Sequence, residues 1–270
     1  MIVREIEARS LVTKTRVPAA DYCINPYIGC PHRCVYCYAE FMKRFTGHSE
    51  PWGEFVDVKH CAKKINAAVY AGRSVVFSTT TDAYNPLEKQ YGVTREALSA
   101  FAGSKVRVSV LTKSDLVLRD IDILKKCADA EVGFSMATVD DAFRKKIEPG
   151  APSIAKRVNA LRVLREEGIK CHVFVSPIFP EITDYKAIID MCAPYTSEFH
   201  FENLNLRGSF RPRVLDLVAR VDRRLLPFYD DIYRLRIGVY WDALEKEIIA
   251  CCAERGLKCV SYFYHERIRK

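Results

Sequence analysis

VRVSVLT at residues 106–112 and EVGFSMA at residues 131–137 are runs of strand length rich in β-branched side chains, separated by a stretch of helical periodicity. The same rhythm extends outward in both directions, through SVVFST at 74–79, KCHVFVS at 170–176 and EFHFENL at 198–204. Helical patterns fill the intervals, and in one of them Val158, Leu161 and Leu164 form an apolar face that must pack on a sheet. Thr94 is placed to cap a helix ending near Gly103, and Ser153 one ending at Gly168. Strands that alternate with helices in this way pair in parallel through right-handed crossovers. A further strand before Cys30 brings the count to six, short of the eight of a closed barrel. The expected fold is therefore α/β, a partial (β/α)6 TIM-type barrel over residues 1–210. A helical, Arg-rich C-terminal extension follows over 211–270, with a helix at 241–255 and a strand-like run at 258–264.

The chain has 270 residues, 49% of them hydrophobic, which is enough for a substantial core. Its N-terminal stretch MIVREIEARSLVTKTRV has no apolar signal core, and no run approaches the roughly 18 apolar residues that span a bilayer. A cytoplasmic protein with no membrane partner is expected. Eleven cysteines, an odd number, in a chain of this size argue for reduced thiols and a metal site over a disulfide framework. The formal charge of +8 is compatible with a nucleic-acid partner, and Arg211, Arg213, Arg220, Arg223, Arg224, Arg234 and Arg236 concentrate basic charge near the C-terminus. A helix face solvated by arginines explains the same pattern.

In NPYIGCPHRCVYCYAE, residues 25–40, Cys30, Cys34 and Cys37 stand at x3 then x2 spacing in a loop between a strand and a helix. Three thiolates so placed can each ligate one iron of a [4Fe-4S] cubane and leave the fourth iron open, whereas clusters that only carry electrons normally take four cysteines. Three other readings of these thiols remain: zinc with His32 or His48 as fourth ligand, a ferredoxin-like cluster completed by Cys23 or Cys61, and plain structural cysteines.

The spacing, with the aromatic Tyr36 directly before Cys37, resembles the signature of the radical S-adenosylmethionine (SAM) superfamily, and the chain is identified as a member. Within it, most of residues 1–205 resembles the small spore photoproduct lyase-related proteins, which share a Thr-x-Thr-Asp-like strand end, a Thr-Lys-Ser, a Phe-Ser and a Glu-Pro followed by an Arg. The resemblance implies an oxygen-sensitive enzyme in which SAM chelates the open iron. An electron from an external donor of ferredoxin or flavodoxin type then cleaves its C–S bond, giving a 5′-deoxyadenosyl radical that abstracts hydrogen from a substrate. The competing class is an iron-sulfur electron-transfer or nucleic-acid-binding protein that does not cleave SAM.

Ligands of parallel barrels gather at the C-terminal ends of strands, which directs attention to the polar residues there. By the resemblance, Thr80, Thr81 and Asp82 line the methionine amino group, and Lys113 and Ser135 meet the SAM carboxylate. Arg157 reaches a carboxylate or the ribose, Tyr36 packs near the adenine or shields the cluster, and Pro177 and Ile178 contact the adenine. One departure matters. Photoproduct lyase carries a hydrogen-donating cysteine where this chain has Thr79, so a comparable reaction would need another donor, with Cys23 and Tyr84 as candidates. Cys61, on the apparent helical stripe of Val58, Ile65 and Ala68, and Cys251, on that of Trp241, Leu244 and Ile248, are read as buried packing residues, as are Cys127, Cys171 and Cys192. A second cluster at Cys251, Cys252 and Cys259 is the less favoured reading.

Overall fold

A computed structural model describes residues 1–18, 20–234 and 239–263. Among the described residues the strands are, in order, β1 (Ile2–Glu7), β2 (Val12–Lys14), β3 (Tyr22–Ile24), β4 (Tyr27–Ile28), β5 (Phe55–His60), β6 (Ser74–Phe77), β7 (Arg107–Thr112), β8 (Asp129–Met136), β9 (Lys170–Ile178), β10 (Glu198–Asn203) and β11 (Lys258–Ser261). The α-helices are α1 (Glu88–Tyr91), α2 (Val93–Ser99), α3 (Ile121–Leu124), α4 (Asp141–Ile147), α5 (Ile154–Glu166), α6 (Tyr185–Cys192), α7 (Arg211–Asp222), α8 (Leu225–Tyr233) and α9 (Val239–Glu254). Short 3-10 helices cover Tyr38–Phe45, Ala67–Tyr70 and Asp115–Asp120.

The described chain forms two compact units, the first from residues 1–33, 39–134 and 150–171, the second from 34–38, 135–149 and 172 onward. In the first, β3, β6, β7 and β8 pair successively in parallel, and β2 adds to β3 in antiparallel sense. Alternation along these strands decides what they bury. Val75 and Phe77 of β6 and Val108 and Val110 of β7 are wholly buried, as are Leu98 of α2, Phe101 in the turn after it, and Leu161 and Leu164 of α5. Val76, Ser109 and Leu111, on the opposite face, are only half-buried. In the second unit β9, β10 and β11 pair in parallel, so the C-terminal segment supplies a strand to the sheet edge. The six expected core strands are all present, as β3, β6, β7, β8, β9 and β10.

The first unit also holds a second sheet, in which β5 pairs in parallel with β1 and antiparallel with β4. Tyr27, Val56, Val58 and Val93 form its core. This corrects the helical reading of Val58, Cys61, Ile65 and Ala68: Val58 lies in a strand, and Cys61 lies in the loop after it, half-exposed, its thiol donating to the Lys63 carbonyl at 3.3 Å. Thr94 is likewise no cap. It lies inside α2, its hydroxyl donating 2.5 Å to the Ala83 carbonyl and its amide 2.8 Å to Glu88, while Gly92 in left-handed conformation starts the helix. Ser153 caps α5 as expected, accepting from the Lys156 amide at 3.4 Å. Tyr264 and Arg236 fall outside the described residues.

β4 runs directly into the cysteine loop, and the join is tight. Gly29 has φ +90°, and a Cβ there would stand 2.3 Å from the Phe55 carbonyl oxygen. Replacing Gly29 with Ala therefore combines overpacking with an unfavourable backbone conformation, and should destabilise the apoprotein by at least about 2 kcal/mol in urea unfolding. Gly47→Ala, at a position with nothing within 4 Å, should change stability by less than about 0.5 kcal/mol.

Candidate cluster and cofactor site

The loop from Asn25 to Cys37 is fixed by main-chain contacts along its length. After Gly29, the His32 carbonyl accepts from the Gly150 amide at 3.0 Å, and a Cβ on Gly150 would lie 2.0 Å from the Pro31 oxygen. Arg33, at φ 54°, donates through Nε to the Gly53 carbonyl at 3.1 Å. Val35 donates to the Ile147 carbonyl at 2.9 Å. Cys30 and Arg33 close one turn at 3.4 Å, and Cys34 and Cys37 another at 3.2 Å. Cys30, Cys34 and Cys37 are half-exposed, whereas Cys23, Cys127, Cys192, Cys251 and Cys252 are buried.

The Thr79–Asp82 segment follows β6 and is held from two sides. Asn25 Oδ1 accepts from the amides of Thr79 and Thr80 at 2.8 and 2.9 Å, and its Nδ2 donates to Thr79 Oγ1 at 2.7 Å. Thr81 Oγ1 donates 2.7 Å to the Gly29 carbonyl, tying the segment to the cysteine loop. Asp82 is 7% exposed. One carboxylate oxygen accepts from Thr112 Oγ1 at 2.7 Å and the Tyr84 amide at 2.9 Å; the other accepts from the Lys113 amide at 2.8 Å and lies 3.5 Å from His32 Nδ1. Asp82, Lys113 and the loop histidine are thus brought together. Lys113 itself is half-exposed at the end of β7.

Ser135, Pro177 and Ile178 belong to the second unit, at the ends of β8 and β9. Ser135 Oγ donates to the Ser176 carbonyl at 3.3 Å, one residue before Pro177, and Ser176 Oγ donates 2.5 Å to Glu202 at the end of β10. Tyr36 packs edge-on against Phe179 with centroids 5.8 Å apart, and its hydroxyl donates to the buried Glu148. Arg157 is fully buried on α5, its Nε and Nη2 donating to the Pro152 carbonyl at 3.2 and 3.0 Å.

The candidate hydrogen donors occupy different settings. Tyr84 is wholly buried, donates to Asp120 at 3.1 Å, and has its phenol pushed well above the ordinary value by burial and by Asp120. Cys23 is 7% exposed, with its sulfur 3.2 Å from Thr13 Oγ1 and 3.8 Å from Asn25 Nδ2. Asn25, Thr112, Ser176 and Glu202 carry no local sequence signal, because their roles depend on partners 26 to 55 residues away.

The donor set fits a cubane. Three soft thiols at close chain spacing stand half-exposed on a loop whose backbone is already fixed, while polar groups gather at the strand ends. Among the described residues no group of three or more His, Cys, Asp or Glu side chains is already gathered as for a metal ion, Cys30, Cys34 and Cys37 included. His48, moreover, is enclosed between Glu50 and Asp57 at 3.1 and 2.8 Å and stacked on Phe55. Near the C-terminus Cys251 accepts from Arg255 Nη1 at 3.0 Å. No helix among the described residues is long and apolar enough to cross a membrane.

The Radical SAM superfamily model matches residues 24–192, a span that contains the cysteine loop and the strand ends at Thr79–Asp82, Lys113, Ser135 and Pro177. The chain belongs to the radical SAM superfamily. An uncharacterized protein of Methanocaldococcus jannaschii is 40% identical over 205 residues, 76% of this chain and 78% of the relative. A radical SAM Nalpha-GlyT isomerase of Pseudomonas phage M6 is 28% identical over 61% of this chain and 34% of its own length. Among solved structures, a spore photoproduct lyase variant with bound AdoMet and dinucleoside spore photoproduct superposes with TM-score 0.62 at 16% identity, over 80% of this chain. This chain spans 66% of the lyase variant's length, and the likeness is one of fold. The α/β architecture of parallel strands is accordingly the partial barrel of radical SAM enzymes. As a radical SAM enzyme the protein uses a [4Fe-4S] cluster and SAM and takes its electron from an external reductant.

Thiol chemistry offers a direct check on this geometry. Burial pushes the Cys192 thiol up to about 12, and burial with the nearby Glu131 carboxylate does the same to Cys171. At pH 8 a thiol with a pKa near 12 is ionised to only about one part in 10,000, and the thiolate is the nucleophile. Iodoacetamide should therefore label Cys30, Cys34 and Cys37 of the apoprotein well before Cys171 and Cys192, as read by peptide mass spectrometry.

Proposed function

We propose that Cys30, Cys34 and Cys37 ligate the cluster and that the polar strand ends hold SAM for hydrogen abstraction from a bound substrate. When bound and reduced by one electron, the cluster with SAM supplies a 5′-deoxyadenosyl radical. The observation that carries the reading is the cysteine loop: contacts at Gly29, His32 and Arg33 hold its first part and the Val35 amide its second, and all three of its thiols are half-exposed.

The chain's own groups then divide the work of binding SAM. Thr80 and Thr81, pinned by Asn25 and the Gly29 carbonyl, present the segment whose polar atoms meet the methionine amino group. Asp82 spends most of its carboxylate on Thr112, Tyr84, Lys113 and His32, so it orients the strand end as well as offering charge to an ammonium. Half-exposed Lys113 and the Ser135 hydroxyl are the groups proposed for the SAM carboxylate, and Pro177 and Ile178 give the adenine an apolar edge. Tyr36, fixed between Glu148 and Phe179, shields the loop. Arg157, closed in on Pro152, fits an indirect role through α5 better than direct contact with ribose. For the product-side hydrogen donor the geometry favours Cys23 over Tyr84, whose hydroxyl is committed to Asp120 in a fully buried network.

The C-terminal arginines support the solvated-face reading over a nucleic-acid track. Arg220, Arg224 and Arg234 pair with Asp216, Asp222 and Asp230 of their own segment at 2.6 to 2.7 Å, and these pairs offset the charge that a polyanion would need.

The test is anaerobic reconstitution followed by dithionite and SAM. Wild-type protein should take up about four irons and four sulfides per chain and release 5′-deoxyadenosine and methionine. The triple variant Cys30→Ala, Cys34→Ala, Cys37→Ala should do neither. Equal 5′-deoxyadenosine from the two proteins would sink the proposed ligation.

A further inference from the structure

The 3-10 helix Tyr38–Phe45 begins at the residue after Cys37 and turns large apolar side chains toward solvent. Phe41 is 44% exposed and Phe45 64%. The Arg44 guanidinium lies 5.5 Å from the Phe41 ring centre and 4.6 Å from that of Phe45, so the three side chains make one continuous surface. Elsewhere exposed apolar side chains such as Val69, Val221 and Ile249 are aliphatic, and scattered single residues of that kind need no explanation. Two solvent-facing phenylalanines joined by an arginine do need one. Protein interface cores are enriched in aromatic residues and Arg and depleted in Lys and Glu.

The position of this patch is bounded by the chain itself. Phe41 is four positions after Cys37, so their Cα atoms stand within about 14 Å even at full extension. At the pitch of a 3-10 helix, near 2 Å per residue, the separation is about 8 Å. The Phe41 end of the patch is therefore close to the proposed cluster ligand, where the electron enters. Lys43 and Arg44 put basic charge in the last turn of this helix, and the chain carries +8 overall. An acidic partner is steered toward such a surface, and a patch of this size suits a brief, low-area encounter of the kind electron carriers make.

We propose that Phe41, Arg44 and Phe45 form the docking surface for a small acidic ferredoxin that delivers the electron. This rests on ligation of the cluster by Cys37. The ferredoxin is oxidised by one electron and the cluster reduced by one, with no bond made or broken and no proton moved.

The experiment uses reconstituted holoprotein and compares two reductants. Reduced acidic [4Fe-4S] ferredoxin and dithionite each drive 5′-deoxyadenosine formation from SAM, in wild type, in Arg44→Glu and in the double variant Phe41→Ser, Phe45→Ser. Iron content and circular dichroism confirm that each variant is folded and loaded. Ferredoxin-driven formation should fall at least about tenfold in both variants, while dithionite-driven formation stays within about twofold of wild type. Direct titration should show ferredoxin affinity weakened about tenfold in both variants, and in wild type weakened by salt.

Failure of dithionite in wild type would overturn the cluster reading itself. Three results would overturn the docking surface while leaving that reading intact. They are a wild type that ferredoxin does not reduce, ferredoxin-driven rates and affinities unchanged in the variants, and variants that lose binding to a single-stranded oligonucleotide but keep ferredoxin.

Discussion

A carboxylate withdrawn from water must be met by donors, or its charge costs several kcal/mol. Asp82 meets that condition with groups drawn from three separate places: the Thr112 hydroxyl and Lys113 amide at the end of β7, the Tyr84 amide just beyond its own strand, and the His32 imidazole on the cysteine loop. Because both oxygens are used, the ends of β6 and β7 and the loop cannot shift independently. A small movement of one would strand a buried charge. The neighbouring threonines inherit this rigidity, with Asn25 accepting from two of their amides and Thr81 reaching the Gly29 carbonyl. Preorganisation of this kind lets a cofactor site form without ordering loops at the moment of binding.

Behind that layer lies a second buried polar network that keeps the scaffold in register. Glu88 is fully buried and accepts from Tyr27, the amides of Thr94 and Arg95, and Arg119. Asp120, also fully buried, accepts from Tyr84, Arg95 and Arg119. Tyr27 lies in β4, the strand that leads into the cysteine loop, so the network couples α1 and α2 to the loop's entry. Burial and Glu88 push the Tyr27 phenol above its ordinary range, which keeps it a hydrogen-bond donor at any physiological pH. Lys59 completes the support from β5, donating to the Asn25 carbonyl at 2.9 Å although burial lowers its pKa.

The six core strands were legible because each reports its own environment: short β-branched runs bounded by helical periodicity read the same in isolation as in the fold. β5 was not, since FVDVKH is followed by apolar residues whose spacing imitates a helix stripe, and only pairing with β1 and β4 fixes it as a strand. Thr94 shows the same limit on a smaller scale. A threonine near a helix start looks like a cap, yet Glu88, six residues earlier, takes its amide and a left-handed Gly92 begins the helix. The cysteine spacing identified the chemistry because ligand spacing is local. The residues that hold the site in shape, Asn25, Thr112 and Ser176, act across long sequence separations and carry no local mark.

β10 shows how the fold converts alternation into a place for chemistry. Phe199, Phe201 and Asn203 are buried on one face, leaving Glu198, His200 and Glu202 on the other. On β9 the side chains of His172 and Ser176 adjoin that second face: His172 stacks on His200 with ring centres 4.2 Å apart, and Ser176 donates to Glu202. Glu198 is held ionised against its own burial by hydrogen bonds from Lys258 and His200. A strand buried in a parallel sheet ordinarily presents apolar groups on both faces. Polar and ionisable groups kept on one face, with Glu202 at its C-terminal end, set β10 apart from that pattern. The same alternation that builds the core thus separates it from the surface available for chemistry.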